Sequence, residues 1–229
     1  MTRGLIERLL RPLAFQLGIL IQEMQPDIAT ATLPRFGNTP RNVRIDFPRR
    51  LVNPERIFLG DGVWLGPGSL LIALHRYPAA PMQNPERPPL EQQQFHSRIV
   101  IGNRVTATGD LQIAAHREIT VEDDVMFATN VNLTDGLHGY ETAQEPYKYQ
   151  PIFKIAPIVI RRGCWIGQNV VVMPGVTIGE HSIVGANSVV TRSLPARCIA
   201  VGAPARVVHQ WDEATGAWVA TDAVLERRV

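Results

Sequence analysis

Six histidines, at positions 75, 96, 116, 138, 181 and 209, are the side chains here best suited to move a proton at neutral pH. Each could act as a general base, or as a metal ligand if three converged. His75, His96, His116 and His138 stand about twenty residues apart with no close pair, which argues against a three-histidine zinc centre. His138 precedes a segment rich in aromatics (Tyr140, Tyr147, Tyr149 and Phe153, with Lys148 among them), a setting that exposes an imidazole beside a cleft. The two cysteines, Cys164 and Cys198, are too few to staple a chain of 229 residues. A thiol such as Cys164 could carry an acyl group covalently. Its position in the repeat described next argues instead for packing.

The elements that must hold these residues show in a six-residue rhythm. From Ile158 to Leu194 an aliphatic recurs as Ile160, Ile166, Val172, Ile178, Val184 and Val190. Four positions after each comes a small or β-branched residue: Cys164, Val170, Val176, Ser182 and Ser188. Leu59, Leu65, Ile101, Val121 and Phe127 carry the same register upstream. No helical period gives a strict repeat of six, whereas short strands joined by tight turns do. Three hexads would close a triangular coil with the aliphatics stacked inward and glycines such as Gly167, Gly179 and Gly185 easing the corners. Sandwich strands recur about every 8–12 residues and fit less well.

Two segments leave the rhythm. His75 to Arg98 is rich in proline and glutamine, and Gly139 to Pro157 holds the aromatics; both are expected to loop out of a coil, as functional excursions often do. The first 30 residues read as an amphipathic helix with Leu5, Ile6, Leu9, Leu10, Leu13 and Leu17 on one side. It would cap the solenoid or pack on a neighbouring copy, with peripheral membrane contact through Arg3, Arg8 and Arg11 as the other option. Trp211 and Trp218 flank a turn sequence and predict a terminal hairpin. The expected division is a helical segment at 1–40, a β-helix at 41–208 with excursions 75–98 and 139–157, and a hairpin and tail at 209–229.

A hydrophobic content of 45% and a formal charge of +2 fit a globular chain. No basic run could track a nucleic-acid backbone, so no nucleic-acid partner is expected. The apolar stretch at residues 17–21 is too short to span a bilayer and precedes no cleavage-like sequence, which predicts a cytoplasmic protein.

Three stretches carry a resemblance: NVNLTDGLHGY, CWIGQNVVVMPGVTIGEHSIVGANSVVTRSLP and VGAPARVV. Together they resemble the hexapeptide acyltransferases of the galactoside, maltose and Nod-factor branch, and relatives that acetylate bacterial surface polysaccharides. The likeness covers roughly residues 45–210 and is tightest from Asn130 to Val208. It implies an all-β fold, a left-handed parallel β-helix. It also implies a homotrimer with sites between subunits, and acetyl-CoA as co-substrate with no metal. His138 matches the family's catalytic base. Trp165 and Gln168 match the thioester end of the donor site, the Gln168 N–H serving the oxyanion. Ala186 matches a main-chain contact to the pantetheine arm, and Thr191, Arg192 and Arg206 match contacts to the nucleotide phosphates.

On the acceptor side the pattern departs. Where polysaccharide-branch relatives have D-H-x-H, this chain has Asp135-Gly136-Leu137-His138 and keeps only the second histidine. Thr108 and His116 stand where the galactoside branch has an acceptor-binding asparagine and aspartate. Thr108, His116 and Phe153 are therefore the expected acceptor contacts, for a sugar or polysaccharide-precursor acceptor unlike a simple galactoside; His116 could equally make only local hydrogen bonds. The alternatives are a hexapeptide carbonic anhydrase, acetyl transfer to an amino sugar or a streptogramin-type antibiotic, and a non-catalytic scaffold.

Overall fold

The structure, a computed structural model, describes residues 3–78, 86 and 91–221. The prolines at 81, 85, 88 and 89 lie outside the described residues, as do the side chains of residues 3–9 and Arg11.

The hexads wind into a parallel β-helix of three faces. The first face stacks Arg44–Ile45, Trp64–Leu65, Thr106–Ala107, Met126–Phe127, Trp165–Ile166, Ile183–Val184 and Cys198–Val201. The second stacks Arg50–Val52, Leu70–Ala73, Gln112–Ala115, Asn132–Thr134, Val171–Val172 and Val189–Val190; the third runs from Ile57–Leu59 through Arg98–Ile101, Glu118–Val121 and Ile158–Ile160 to Thr177–Ile178. In the last coils Trp165 pairs with Ile183, Val171 with Val189 and Val159 with Thr177. Each pair is three hexads apart. The two excursions lengthen that offset without breaking the stack: Leu70 pairs with Gln112 and Asn132 with Val171.

The aliphatic series fills the interior, with Ile160, Ile166, Val172, Ile178, Val184 and Val190 all at 0% exposure. Each such side chain contributes about 1.5–3 kcal/mol by leaving water. Ser182 and Ser188 occupy the small inward slots with their hydroxyls bonded to the carbonyls of Pro195 and Gly185, which removes the cost of burying them.

The corners work differently from the sequence expectation. The left-handed backbone conformation falls at Gly163, Asn169, Gly175, His181 and Asn187, every sixth residue, and asparagine is among the few residues besides glycine that adopt it. The glycines that follow the aliphatics answer a different constraint. A Cβ on Gly179 would collide with the main chain of Ala196, so there the glycine lets successive coils touch.

A single helix, Arg3–Ala31, precedes the first coil. Its end is tied down: Ala29 is buried, and Arg49 bonds the Ala29 carbonyl and the Thr32 hydroxyl. Leu10, Leu13, Leu17 and Leu20 remain exposed in the isolated chain. Among the described residues no helix is long and apolar enough to cross a membrane. At the opposite end Cys198–Val201 pairs antiparallel with Arg206–Asp212, which pairs with Ala217–Ala220 and sets Trp211 against Trp218. This hairpin covers the last open strand edge of the first face.

Candidate active site

His138 lies in a short hairpin where the second excursion leaves the corner between the second and third faces. Leu137–His138 pairs antiparallel with Ile152–Phe153. The ring is exposed at the residue level, yet its Nδ1 stands 3.2 Å from the Tyr77 hydroxyl, and the two rings meet edge-on. Partial burial lowers the His138 pKa below the ordinary histidine value, and the nearby imidazole of His116 lowers it further. At neutral pH His138 is thus unprotonated, the state a base needs.

His116 sits one coil earlier at the same corner, and it is buried. Its Nδ1 lies 3.0 Å from Asp135 Oδ1. The Asp135 carboxylate, at 0% exposure, also accepts the main-chain N–H groups of His116, Arg117 and Glu118 at 2.6, 2.8 and 2.7 Å. A carboxylate oxygen accepts, so in the contact with Asp135 Oδ1 the hydrogen comes from His116 Nδ1. Gly136 makes room for this ring: a Cβ there would come 2.8 Å from His116 Nδ1. The His116 ring thus fills the space that a side chain at position 136 would need.

Phe153, partly buried, stands opposite Leu137 and packs edge-on against Tyr140 at 4.6 Å. The Lys154 ammonium lies 5.3 Å from the Phe153 ring and 5.0 Å from that of Tyr140. Gln150 stabilises this excursion from within. Its buried amide accepts from Glu141 and Thr142 and donates to the carbonyls of Thr142 and Glu145.

The remaining expected residues divide between two edges. Thr191 and Arg192, both exposed, share the edge of His138, two coils further on, or about 10 Å along the column. Thr108, Gln168 and Ala186 lie on the edge between the first and second faces. That edge is stitched by Asn187 N–H donating to the Gln168 carbonyl and Asn130 N–H to Gly109. The N–H groups of Gly167 and Asn169 donate to Val184 and Thr129, while among the described residues no acceptor meets the N–H of Gln168. Trp165 is exposed on the first face beside this edge, in line with Trp64 and Met126. Arg206 opens the terminal hairpin, exposed, and bonds the Ala205 carbonyl. One hexad separates the two edges, on the order of 15 Å. A single chain therefore does not bring His138 to Gln168 or Ala186.

Cys164 is buried in its hexad slot with its thiol donating to the Gly179 carbonyl, and burial pushes its pKa up to about 11. Such a thiol is a poor nucleophile. The sequence reading missed Tyr77, Gln93 and the role of Asp135. Tyr77 and Gln93 are too far in sequence from His138 for spacing to reveal. Asp135 stood in the matched motif, but its partners come from the preceding coil.

Residues 157–192 match the bacterial transferase hexapeptide (six repeats) family. The chain carries the transferase hexapeptide repeat. It is 37% identical over 116 residues to galactoside O-acetyltransferase of Escherichia coli (strain K12), covering 51% of this chain and 56% of that protein. It is 31% identical over 126 residues to the putative lipopolysaccharide biosynthesis O-acetyl transferase WbbJ of the same organism, covering 52% and 64%. The matches thus span between half and two thirds of these relatives' length. Among solved structures, a point mutant of AntD, an N-acyltransferase from Bacillus cereus in complex with dTDP and coenzyme A, superposes with a TM-score of 0.61. The match covers 88% of this chain and 93% of that one, at 18% identity. The hexapeptide-repeat containing acetyltransferase VCA0836 from Vibrio cholerae gives 0.50 at 21% identity, covering 89% and 93%. At those identities the likeness is one of fold.

Proposed function

We propose that this hexapeptide-repeat chain is an acetyl-CoA-dependent O-acetyltransferase that acts on a sugar or polysaccharide-precursor hydroxyl, with its sites between the copies of a homotrimer. The observation that carries the reading is the division of the site residues. The base stands on one edge of the prism with His116 and Phe153, and Gln168 and Ala186 stand on the next, together with Thr108. Copies related by a three-fold axis would set one edge of each against the other edge of its neighbour. The groove so formed would hold acetyl-CoA along Gln168 and Ala186, beside the partner copy's base.

In the reaction His138 removes the proton of the acceptor hydroxyl as its oxygen attacks the thioester carbonyl. The oxyanion that develops is met by the unengaged N–H of Gln168. Collapse breaks the carbon–sulfur bond, and the coenzyme A thiolate leaves with the proton His138 had taken. No covalent acyl-enzyme is required, in keeping with the buried Cys164 thiol. The exposed Arg192 and Arg206 would contact the nucleotide phosphates. Tyr140 and Phe153 offer aromatic faces for an acceptor ring, and Thr108 stands across the groove.

The test is His138→Ala with labelled acetyl-CoA and a panel from simple glycosides to lipid-linked oligosaccharides, amino sugars included. Turnover should fall at least about a hundredfold, with the molecular mass by light scattering unchanged. Undiminished acetylation would remove His138 from the chemistry. Transfer to amino sugars alone would replace the hydroxyl acceptor with an amine.

A further inference from the structure

Two hairpins meet at His138, and the four residues that join them are paired within each hairpin. At the root of the first excursion, Arg76–Tyr77 pairs antiparallel with Gln93–Gln94, which puts Tyr77 directly opposite Gln93. In the second excursion His138 lies directly opposite Ile152. Gln93 holds the main chain of Ile152 in both directions: its amide nitrogen donates to the Ile152 carbonyl at 3.0 Å, and its amide oxygen accepts the Ile152 N–H at 2.7 Å. Beside this clamp the Tyr77 hydroxyl reaches His138 Nδ1. Tyr77 and Ile152 are buried in a small cluster with Phe95, apart from the main core. The root of the first excursion is thereby locked onto the second excursion at the imidazole.

The direction of the hydrogen bond follows from the proton inventory. Tyr77 has one hydroxyl proton and gives it to the main-chain carbonyl of Lys148, which can only accept. Burial raises the Tyr77 pKa, so the phenol keeps that proton. What the oxygen offers His138 is a lone pair, and Nδ1 must supply the hydrogen. A neutral imidazole protonated at Nδ1 carries its own lone pair on Nε2.

We infer that Tyr77 is a positioning residue that holds neutral His138 in its Nδ1–H tautomer, leaving Nε2 as the basic atom, and that this is the task of the first excursion's root. The inference rests on the reading of His138 as the general base. It extends that reading to an atom and to a segment distant in sequence. Without the phenol oxygen, the ring would distribute its proton between both nitrogens and lose one restraint on its plane.

The experiment uses the full chain labelled with 15N-histidine, in native, Tyr77→Phe and His138→Ala forms, at a pH where His138 is neutral. Long-range proton–nitrogen spectra report which ring nitrogen is protonated, and His138→Ala identifies the signal. The native protein should show a protonated Nδ1 and a bare Nε2. Tyr77→Phe keeps the buried ring and should populate the other tautomer. With it kcat should fall about tenfold, with KM for acetyl-CoA nearly unchanged and the melting temperature lowered by roughly 2–4 °C for the lost bond to the Lys148 carbonyl. A bare Nδ1 in the native protein, or an unchanged tautomer in Tyr77→Phe, would overturn the inference. Full turnover in His138→Ala combined with a tautomer shift in Tyr77→Phe would sink the general-base reading while leaving the orientation by Tyr77 standing.

Discussion

Replacing Asp135 with asparagine removes a charge and almost no volume, so its effect can be worked out from the four donors. In the native chain one carboxylate oxygen takes the main-chain and ring N–H of His116, and the other takes the main-chain N–H of Arg117 and Glu118. An amide has only one accepting oxygen. Turning that oxygen toward Arg117 and Glu118 is the better choice, because the amide nitrogen can then donate to His116 Nδ1 in its other tautomer. The His116 main-chain N–H is still left facing a donor inside the protein. One stranded buried donor and the lost charge assistance at the others together cost about 3 kcal/mol. For a chain of this length that is a Tm drop of roughly 6–12 °C, measurable by scanning fluorimetry. Asp61→Asn is the control, since Asp61 pairs with Arg41 at the surface and its loss should leave the melting temperature nearly unchanged. A melting temperature for Asp135→Asn within about 2 °C of native would refute the reasoning.

Two further outcomes follow from the geometry. Because the folded environment lowers the His138 pKa, kcat/KM should rise with pH with its midpoint below the ordinary histidine value of about 6.5, and be lost as pH falls through that midpoint; a midpoint at or above pH about 7 contradicts this. Gly179→Ala drives a methyl group into the next coil's backbone and should destabilise by more than about 3 kcal/mol. Gly216→Ala, in open space at positive φ, should cost only about 1 kcal/mol. Equal losses in the two, read by chemical denaturation, would show that close approach of the coils is not what fixes Gly179.

The column was legible because a repeat of six writes the same physical demand many times: Ile160, Ile166, Val172 and their fellows all need the same dry interior. The corners were less so. Gly175, a turn glycine by its place in the repeat, is left-handed as Gly163 is, but Gly167, Gly179 and Gly185 are not, and the other left-handed turns of these coils fall at Asn169, His181 and Asn187. The site was legible only through resemblance. Its supporting contacts join residues whose separation no local pattern encodes: Tyr77 with His138, Gln93 with Ile152, His116 with Asp135. Those pairs exist because two excursions of unrelated sequence leave the same corner on either side of the coil that carries His116, and only the stacking of the coils brings them together.

The shared groove is tested most directly by mixing two inactive variants. His138→Ala damages one edge, and Ala186→Trp, at an exposed position on the other, should block the donor groove. Unfolded and refolded together in equal amounts, they would form random trimers in which about one groove in four joins two intact edges. A site built between copies predicts recovery of about a quarter of native turnover from two individually dead proteins. No recovery, in mixtures shown by mass to contain both chains, would place the whole site within one copy and contradict the division of the catalytic residues between edges.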